Sequence, residues 1–248
     1  MIKLDKKHNR WYSYHREIYM KLTTPIEIVS HYAVKYFGND YKEIVYDRLK
    51  KSSLYLIDSQ NYKECAADYT NNMLEENDSH KSDTGREIFS DTMSQLQKLT
   101  DRKRIGVCIS YPIVKNRILS LTNGAFIIDP SGDITATDLS PWCDVAIVHE
   151  LVHAMTNRIS NNGLYIGIND FGENKNENIV HAIATEITKE IHKDKISLYE
   201  NKPKNTQNRY IEVFAINQLP KDFIKKHKNL IFPAMLQGKK REELALLV

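Results

Sequence analysis

Residues 149–153 have the sequence His149-Glu150-Leu151-Val152-His153, the HExxH pattern found in many zinc hydrolases. Residues four positions apart lie on the same face of an α-helix, so both imidazoles can approach one metal ion. Zinc lowers the pKa of a water that it binds to roughly 7, and Glu150 stands beside the first histidine, where it can take the proton. The pattern therefore predicts a catalytic zinc site with Glu150 as the general base.

The residues around this motif are typical of a buried helix. Ser140 and Pro141 supply an N-cap and a first-turn proline at its start. Apolar residues then fill most of the remaining positions, namely Val145, Ala146, Ile147, Val148, Leu151, Val152, Ala154 and Met155. Imidazoles inside such a helix need partners, because unpaired buried polar groups cost free energy. We expect that partner to be a zinc ion; the alternative is a pair of hydrogen-bonded structural histidines on an ordinary core helix.

A catalytic zinc ion usually has three protein ligands and a water, so a further ligand is expected downstream. The metzincin extension requires a glycine and a histidine at two positions that are occupied here by Thr156 and Ile159, which excludes that class. The polar stretch 157–176 predicts a loop, and the amphipathic stretch 177–187 predicts a second helix. The third ligand is therefore sought near the start of that helix.

We choose Glu177 as the third zinc ligand because it begins this helix, far enough after His153 for the chain to return antiparallel. It lies one turn before the first residues of an apolar stripe and can face the same inner side. The stripe consists of Ile179, Val180, Ile183, Ala184 and Ile187. Alternatively, Glu177 is only an acidic first-turn residue that complements the helix dipole. Glu173 and, after it, Asp170 are the competing ligands.

Two further residues of this helix are candidates for supporting roles. His181 lies four positions after Glu177 and therefore on the same helical face, where it can orient a ligand, touch a substrate or cap a neighbouring carbonyl. Glu186 is a candidate to accept a hydrogen bond from the second ring nitrogen of a ligating histidine. Solvent exposure of Glu186 is the alternative.

The composition is that of a globular protein with no charge bias. The chain has 248 residues, of which 41% are hydrophobic and 27% charged, and its net charge is +3. We expect a single domain, and the small net charge argues against nucleic acid or a membrane as a partner. The lysine-rich stretches 221–228 and 239–241 are expected to be solvated faces, with an electrostatic patch as the alternative.

The spacing of the cysteines and the length of the apolar segments indicate where in the cell the protein is expected to work. Cys65, Cys108 and Cys143 are far apart and lack CxxC spacing, so neither a disulfide framework nor a thiolate metal site is predicted. We expect the folded protein to work in a reducing compartment. No run approaches the ~20 apolar residues of a membrane span, and the first ten residues have no signal-peptide core, so export by the general secretory route is not expected.

The predicted fold is α+β, a mostly helical zincin-like metallopeptidase with a small sheet beside the HExxH helix. Within one domain, 1–248, we expect a helical part at about 1–100, a catalytic core at about 101–215 and a helical part at about 216–248. Capping boxes at 24–27 and 40–43 start two N-terminal helices, with Gly38 as a stop between them. Apolar runs at 105–109 and 124–128 predict the strands.

One of these strands has a possible functional role. In zinc peptidases an edge strand beside the motif helix commonly pairs with an extended substrate. Ile127 and its neighbours are candidates for such an edge, and an ordinary buried strand is the alternative because they are apolar.

The region from Ala125 to about Tyr210 resembles the NleD-like zinc metallopeptidases, a family of bacterial type III effectors and toxin domains. The matching features are a strand ending in Asp129-Pro130, a proline-containing approach, the motif at residues 148–154 (Val-His-Glu-Leu-Val-His-Ala), a glutamate-led helix at Glu177 and the pair Arg209-Tyr210. About a third of the chain is covered, and HExxH is the specific motif. The N-terminal helices lie outside the resemblance.

This resemblance implies a zinc endopeptidase that a type III-like route delivers into the cytoplasm of a host cell, where it cuts a signalling protein. Its mechanism would be similar to that of clostridial neurotoxin light chains. The resemblance also implies that Arg209 or Tyr210 stabilises the oxyanion formed when water attacks the peptide carbonyl, and we assign this role to Tyr210.

Two other functions remain open. One is a regulatory peptidase of the bacterial cytoplasm, similar to the ImmA/IrrE group, which also combines HExxH with a downstream glutamate helix and cleaves repressors. The other is a non-catalytic interaction module in which the histidines are structural or a zinc ion braces the fold. Genomic neighbourhood separates the first from an effector, and metal analysis tests the second.

Overall fold

The structure is a computed structural model that describes residues 2–5, 10–13, 24–57, 61–74, 83–101, 106–115, 118–128, 141–159, 165–166, 173–191, 193, 219 and 222–247. These residues form an α+β fold that is mostly helical. The helices are α1 (Thr24–Phe37), α2 (Lys42–Lys50), α3 (Tyr62–Leu74), α4 (Asp83–Asp101), α5 (Pro141–Thr156), α6 (Glu173–Ile191), α7 (Phe223–Phe232) and α8 (Arg241–Leu247). None of the described helices has the length and apolar character needed to cross a membrane.

The strands form one three-stranded sheet and two small pairs. They are β1 (Ile2–Asp5), β2 (Arg10–Ser13), β3 (Ser52–Ile57), β4 (Gly106–Lys115), β5 (Ile118–Ile128), β6 (Arg158–Ile159) and β7 (Tyr165–Ile166). β5 is the central strand of the larger sheet and is parallel to β3 and antiparallel to β4. β1 pairs with β2, and β6 pairs with β7, both in antiparallel fashion.

Side chains alternate across the larger sheet and divide the buried residues into two groups. One face packs against α5 and contributes to a core shared with α1, α2, α6 and the C-terminal helices. The opposite face packs against α3 and α4 through aromatic and aliphatic side chains. On the α5 face, the paired residues form three rows across the strands, which are Ser52–Asn123–Ser110, Leu54–Ala125–Cys108 and Leu56–Ile127–Gly106.

Helix α5 carries the HExxH motif, and the part of it whose side chains the structure describes is buried on all sides. Every residue from Val145 to Met155 is buried, as the apolar pattern predicts. The helix begins at Pro141, as predicted, whereas Ser140 lies outside the described residues. Since α5 packs against the sheet and against α1, α2 and α6, its polar side chains His149, Glu150 and His153 are enclosed within the core.

Several expectations about the elements are corrected by the structure. The N-terminal part is not wholly helical, because it also contains β1, β2 and β3. The capping box at 40–43 does not form. Gly38, with φ of 102°, leads into a 3₁₀ turn at Asn39–Tyr41. Helix α2 then begins at Lys42, and its N-cap residue, Tyr41, makes no side-chain cap hydrogen bond. The two sheet strands predicted at 105–109 and 124–128 are present and are longer than expected.

The assignment of Ile127 to a substrate-binding edge is also wrong. Ile127 lies on the central strand, where it pairs with Leu56 on one side and Gly106 on the other, and it is fully buried. The alternative of an ordinary buried strand is correct. The edge strand beside α5 is β4, since no described strand pairs with its other side.

Candidate metal centre

Three side chains from two helices meet at one point. His149 and His153 project from successive turns of α5, and Glu177 projects from α6, which packs against α5. The Nε2 atom of His149 lies 3.0 Å from Oε2 of Glu177, and the Nε2 atom of His153 lies 3.2 Å from Oε1. The two Nε2 atoms are 3.1 Å apart. Among the described residues, this is the group that could hold a metal ion.

The spacing of these donor atoms fits a metal. Ligand atoms of a tetrahedral zinc site with bonds of about 2.0–2.1 Å lie about 3.3 Å from one another. The two Nε2 atoms are 3.1 Å apart, and they lie 3.0 and 3.2 Å from the two different oxygens of the Glu177 carboxylate, so each distance is slightly shorter than this spacing. Two imidazole nitrogens and a carboxylate also form a donor set that is typical of zinc.

Burial and charge tune the protonation of the three groups. Burial lowers the pKa of His149, and the hydrogen bond to Glu177 opposes this effect without reversing it. Burial also acts to lower the pKa of His153, but the hydrogen bond to Glu177 and its charge outweigh burial and leave the pKa raised. Burial acts to raise the pKa of Glu177, yet its hydrogen bonds to both histidines bring that pKa far below its ordinary value. Glu177 is therefore an anion at neutral pH, which suits a metal ligand.

Glu150 is buried beside this cluster, with 7% of its surface exposed. Its charge contributes to raising the pKa of His153, so its carboxylate lies within electrostatic range of the cluster. The same charge contributes, after burial, to raising the pKa of the Cys108 thiol on β4. Glu150 also lies against Gly106, the first residue of the edge strand.

A buried polar network fixes the C-terminal half of α5 on the sheet. Asn123 of the central strand donates from Nδ2 to the carbonyl oxygen of Ala154 at 3.3 Å. Its Oδ1 accepts a hydrogen bond of 2.6 Å from the Ser110 hydroxyl, which in turn accepts one of 2.8 Å from Nδ2 of Asn157. The backbone N–H of Asn157 donates to the carbonyl oxygen of His153 at 2.8 Å. Because hydrogen bonds are directional, this network sets the position of α5 along the strands.

Arg48 of α2 also binds the C-terminal end of α5. Its Nη1 atom donates to the carbonyl oxygen of Met155, and Nη2 donates to that of Leu236 at 2.8 Å. Burial, together with the charge of Arg158, lowers the pKa of Arg48 to about 10, so its guanidinium stays charged at neutral pH. A positive charge at a helix C-terminus is favourable, and Arg48 satisfies a carbonyl there that has no partner within the helix.

The structure brings Glu177 to the two histidines, although not from the start of its helix. α6 begins at Glu173, one turn earlier than predicted, so Glu177 lies in the second turn. The backbone of Glu173 is helical, and its side chain lies outside the described part, as does the whole of Asp170. The predicted stripe from Ile179 to Ile187 is buried and packs in the same core as α5.

The structure bears differently on the predicted roles of His181, Glu186, Arg209 and Tyr210. His181 lies near the site, with its ring centroid 6.0 Å from that of His149, so its orienting or substrate-contacting roles stay predictions. Glu186 is exposed and pairs with Lys189 at 2.8 Å, so its predicted outer-shell role is wrong and the solvent-exposed alternative is correct. Arg209 and Tyr210 lie outside the described residues.

Comparison with protein-family models, curated proteins and solved structures finds no significant match to this chain. The resemblance to NleD-like metallopeptidases therefore stays a prediction.

Proposed function

We propose that this protein is a zinc-dependent endopeptidase. The observation that carries the proposal is the convergence of His149, His153 and Glu177, with 3.0–3.2 Å between their ligand atoms, next to a buried Glu150. Three protein ligands are typical of catalytic zinc, because they leave a coordination position open, whereas structural zinc sites usually have four. A zincin-like arrangement of helix and sheet is part of this proposal.

Each side chain has a defined task in this mechanism. His149, His153 and Glu177 hold the metal, and zinc would supply a Lewis acid that polarises the scissile carbonyl and lowers the pKa of the attacking water. The Glu150 carboxylate accepts one proton from that water as its oxygen adds to the carbonyl carbon. The protonated Glu150 then donates the proton to the amide nitrogen as the carbon–nitrogen bond breaks. The products are a carboxylic acid and an amine.

The open edge of β4 supports a polypeptide as the substrate. β4 begins at Gly106, directly against the Glu150 side chain, and its outer edge has no partner strand within the described part of the chain. An extended peptide can add to such an edge through main-chain hydrogen bonds, which bind it with little dependence on sequence. A substrate strand on β4 would run past the general base.

The proposal is tested by comparing wild type with Glu150→Gln in a host-cell lysate and identifying new protein N-termini by mass spectrometry. Glu150→Gln removes the base but keeps the size of the side chain and all three metal ligands. We expect it to retain zinc and its melting temperature while its turnover falls about 10²- to 10⁴-fold. Glu186→Gln is the matched control, because Glu186 is exposed, pairs with Lys189 and follows Glu177 by more than two turns of α6.

Two results would contradict the proposal. If new N-termini appear equally with wild type and Glu150→Gln, Glu150 is not the base. If wild type binds zinc but generates no new N-termini in lysates of bacterial and eukaryotic cells, the metal braces the fold and the interaction-module alternative is preferred. Delivery into a host cell and cleavage of a signalling protein rest on the resemblance alone, and a cut protein identified in the lysate would test them.

A further inference from the structure

Gly106 occupies the first position of the edge strand β4, on the face of the sheet that packs against α5. A Cβ atom added to Gly106 would lie 2.7 Å from Oε1, 2.9 Å from Cγ and 3.0 Å from Cδ of Glu150. Its three nearest neighbours are thus atoms of one side chain. The space that a larger residue would need at this position is filled by Glu150.

The glycine is not required for its backbone conformation. Gly38 and Gly238 have positive φ angles, of 102° and 71°, which side chains rarely adopt, whereas Gly106 is not in that region. Glycine inside a strand has no packing side chain and often marks a close approach of another group. At Gly106 that group is the carboxylate of Glu150, so the reason for the glycine is space.

We propose that Gly106 is a positioning residue, whose missing side chain creates the pocket that holds the Glu150 carboxylate ready for proton transfer; the catalytic part of this proposal rests on the proposed function. Glu150 is buried, so a displaced carboxylate must move to another place within the core. General-base catalysis depends on a distance of about 2.6–3.2 Å between the base and its proton donor. We therefore expect a shift of the carboxylate by about a methyl radius to slow the reaction, whereas none of the three atoms nearest to the added Cβ belongs to His149, His153 or Glu177.

The test is a double-mutant cycle with the variants Gly106→Ala, Glu150→Ala and their combination, measured by thermal unfolding of the full chain. Gly106→Ala should lower the melting temperature by about 3–6 °C when Glu150 is present, because the added methyl overpacks the core. In the Glu150→Ala background the same substitution should change it by less than about 1 °C, since the clash is gone.

Gly124→Ala is the matched control. Gly124 lies on β5 in the same sheet, but a Cβ there would lie 2.8 Å from ring atoms of Phe126 and Tyr69 on the opposite face. Its cost should therefore be the same with and without the Glu150 side chain. If Gly106→Ala behaves like Gly124→Ala, with an equal loss in both backgrounds or with no loss in either, the proposal is overturned. If the single variant Gly106→Ala does not fold, the proposal requires that the combination of Gly106→Ala with Glu150→Ala does fold. A combined variant that also fails to fold would overturn the proposal.

Activity provides the second readout. Gly106→Ala should keep one zinc per chain and an unchanged KM, while kcat falls about 10- to 100-fold, because only the base is displaced. Suppose that Gly106→Ala lowers the melting temperature only when Glu150 is present and still leaves kcat unchanged. That pair of results would overturn the positioning role. If wild type proves inactive on every protein, the proposed function fails, and the thermal cycle still decides whether Gly106 holds Glu150 in place.

Discussion

The two faces of the sheet around β5 are held to their helices by different interactions. On the face toward α3 and α4, Phe126 stacks on Tyr55 with ring centroids 5.0 Å apart and meets Tyr69 edge-on at 5.5 Å. On the face toward α5, the row that contains Asn123 and Ser110 is polar and hydrogen-bonds to the helix backbone. Both faces also bury apolar side chains, but the hydrogen bonds of the polar row reach the backbone of α5, the helix that carries His149 and His153.

This difference indicates which interactions position the side chains of the candidate metal site. The hydrogen bonds on the aromatic face, from the Tyr69 hydroxyl to the carbonyl oxygens of Ile109 and Thr122, position α3, which carries none of the three clustered side chains. The polar network is satisfied only when Ala154 and Asn157 lie at particular points of the sheet, so it places the turns of α5 that carry His149, Glu150 and His153. We therefore expect changes on the aromatic face to affect stability alone, and changes in the polar row to affect the metal site as well.

The largest effect on stability is expected from Phe126→Ala. This substitution removes a fully buried ring that contacts both tyrosines, and it should reduce the free energy of unfolding by about 3–5 kcal/mol. Urea unfolding followed by circular dichroism measures this loss. The fraction that remains folded should bind zinc with the affinity of wild type, and a weaker affinity would show that the aromatic face also positions the site.

A smaller loss of stability with a clear effect on the metal is expected from Asn123→Leu. The Ser110 hydroxyl and the carbonyl oxygen of Ala154 would each lose a hydrogen bond, at a cost of about 2–3 kcal/mol. Because α5 would no longer be fixed along the strands, zinc affinity should fall about tenfold or more, as for other residues that orient metal ligands. Competition with a chromophoric chelator measures it. If Asn123→Leu binds zinc as tightly as wild type, the polar row does not position the metal site and the two faces do not differ in this respect.

The smallest effect is expected from Tyr55→Phe on the aromatic face. Its hydroxyl donates to Asp68 at 2.8 Å, and the loss of this bond should cost about 1 kcal/mol. The ring keeps its stacking on Phe126, so zinc affinity and turnover should not change. Thermal unfolding and the chelator assay on the same preparation check both statements, and reduced zinc binding would contradict them.

The three side chains of the candidate metal site are predictable from the sequence because helical periodicity is a local property. The spacing of His149 and His153 and the apolar stripe of α6 both follow from 3.6 residues per turn. Glu177 was identified by the same periodicity, although α6 begins one turn earlier than the position of the first apolar residues suggested. Helix boundaries depend on capping and on tertiary contacts, which a single sequence shows poorly.

The parts that were missed depend on contacts between residues distant in sequence. β3 pairs with β5 in parallel fashion, and this pairing made β5 central and Ile127 an interior residue. Asn123 and Ser110 are polar residues in strands, and nothing local distinguishes them from surface positions. Gly106 resembles any strand-terminal glycine until Glu150 is seen against it. A glycine at the start of an apolar run close to an HExxH helix is the one signal that could have drawn attention to it.

The central claim, that His149, His153 and Glu177 together bind one catalytic metal ion, is tested most directly by zinc titration of the purified chain against a chromophoric chelator. Wild type and the control Glu186→Gln should each bind one zinc ion with equal affinity. Glu177→Gln should bind it at least about 10-fold more weakly, and His153→Ala should lose stoichiometric binding. Absence of zinc binding by wild type, or equal affinity of wild type and Glu177→Gln, would contradict the account.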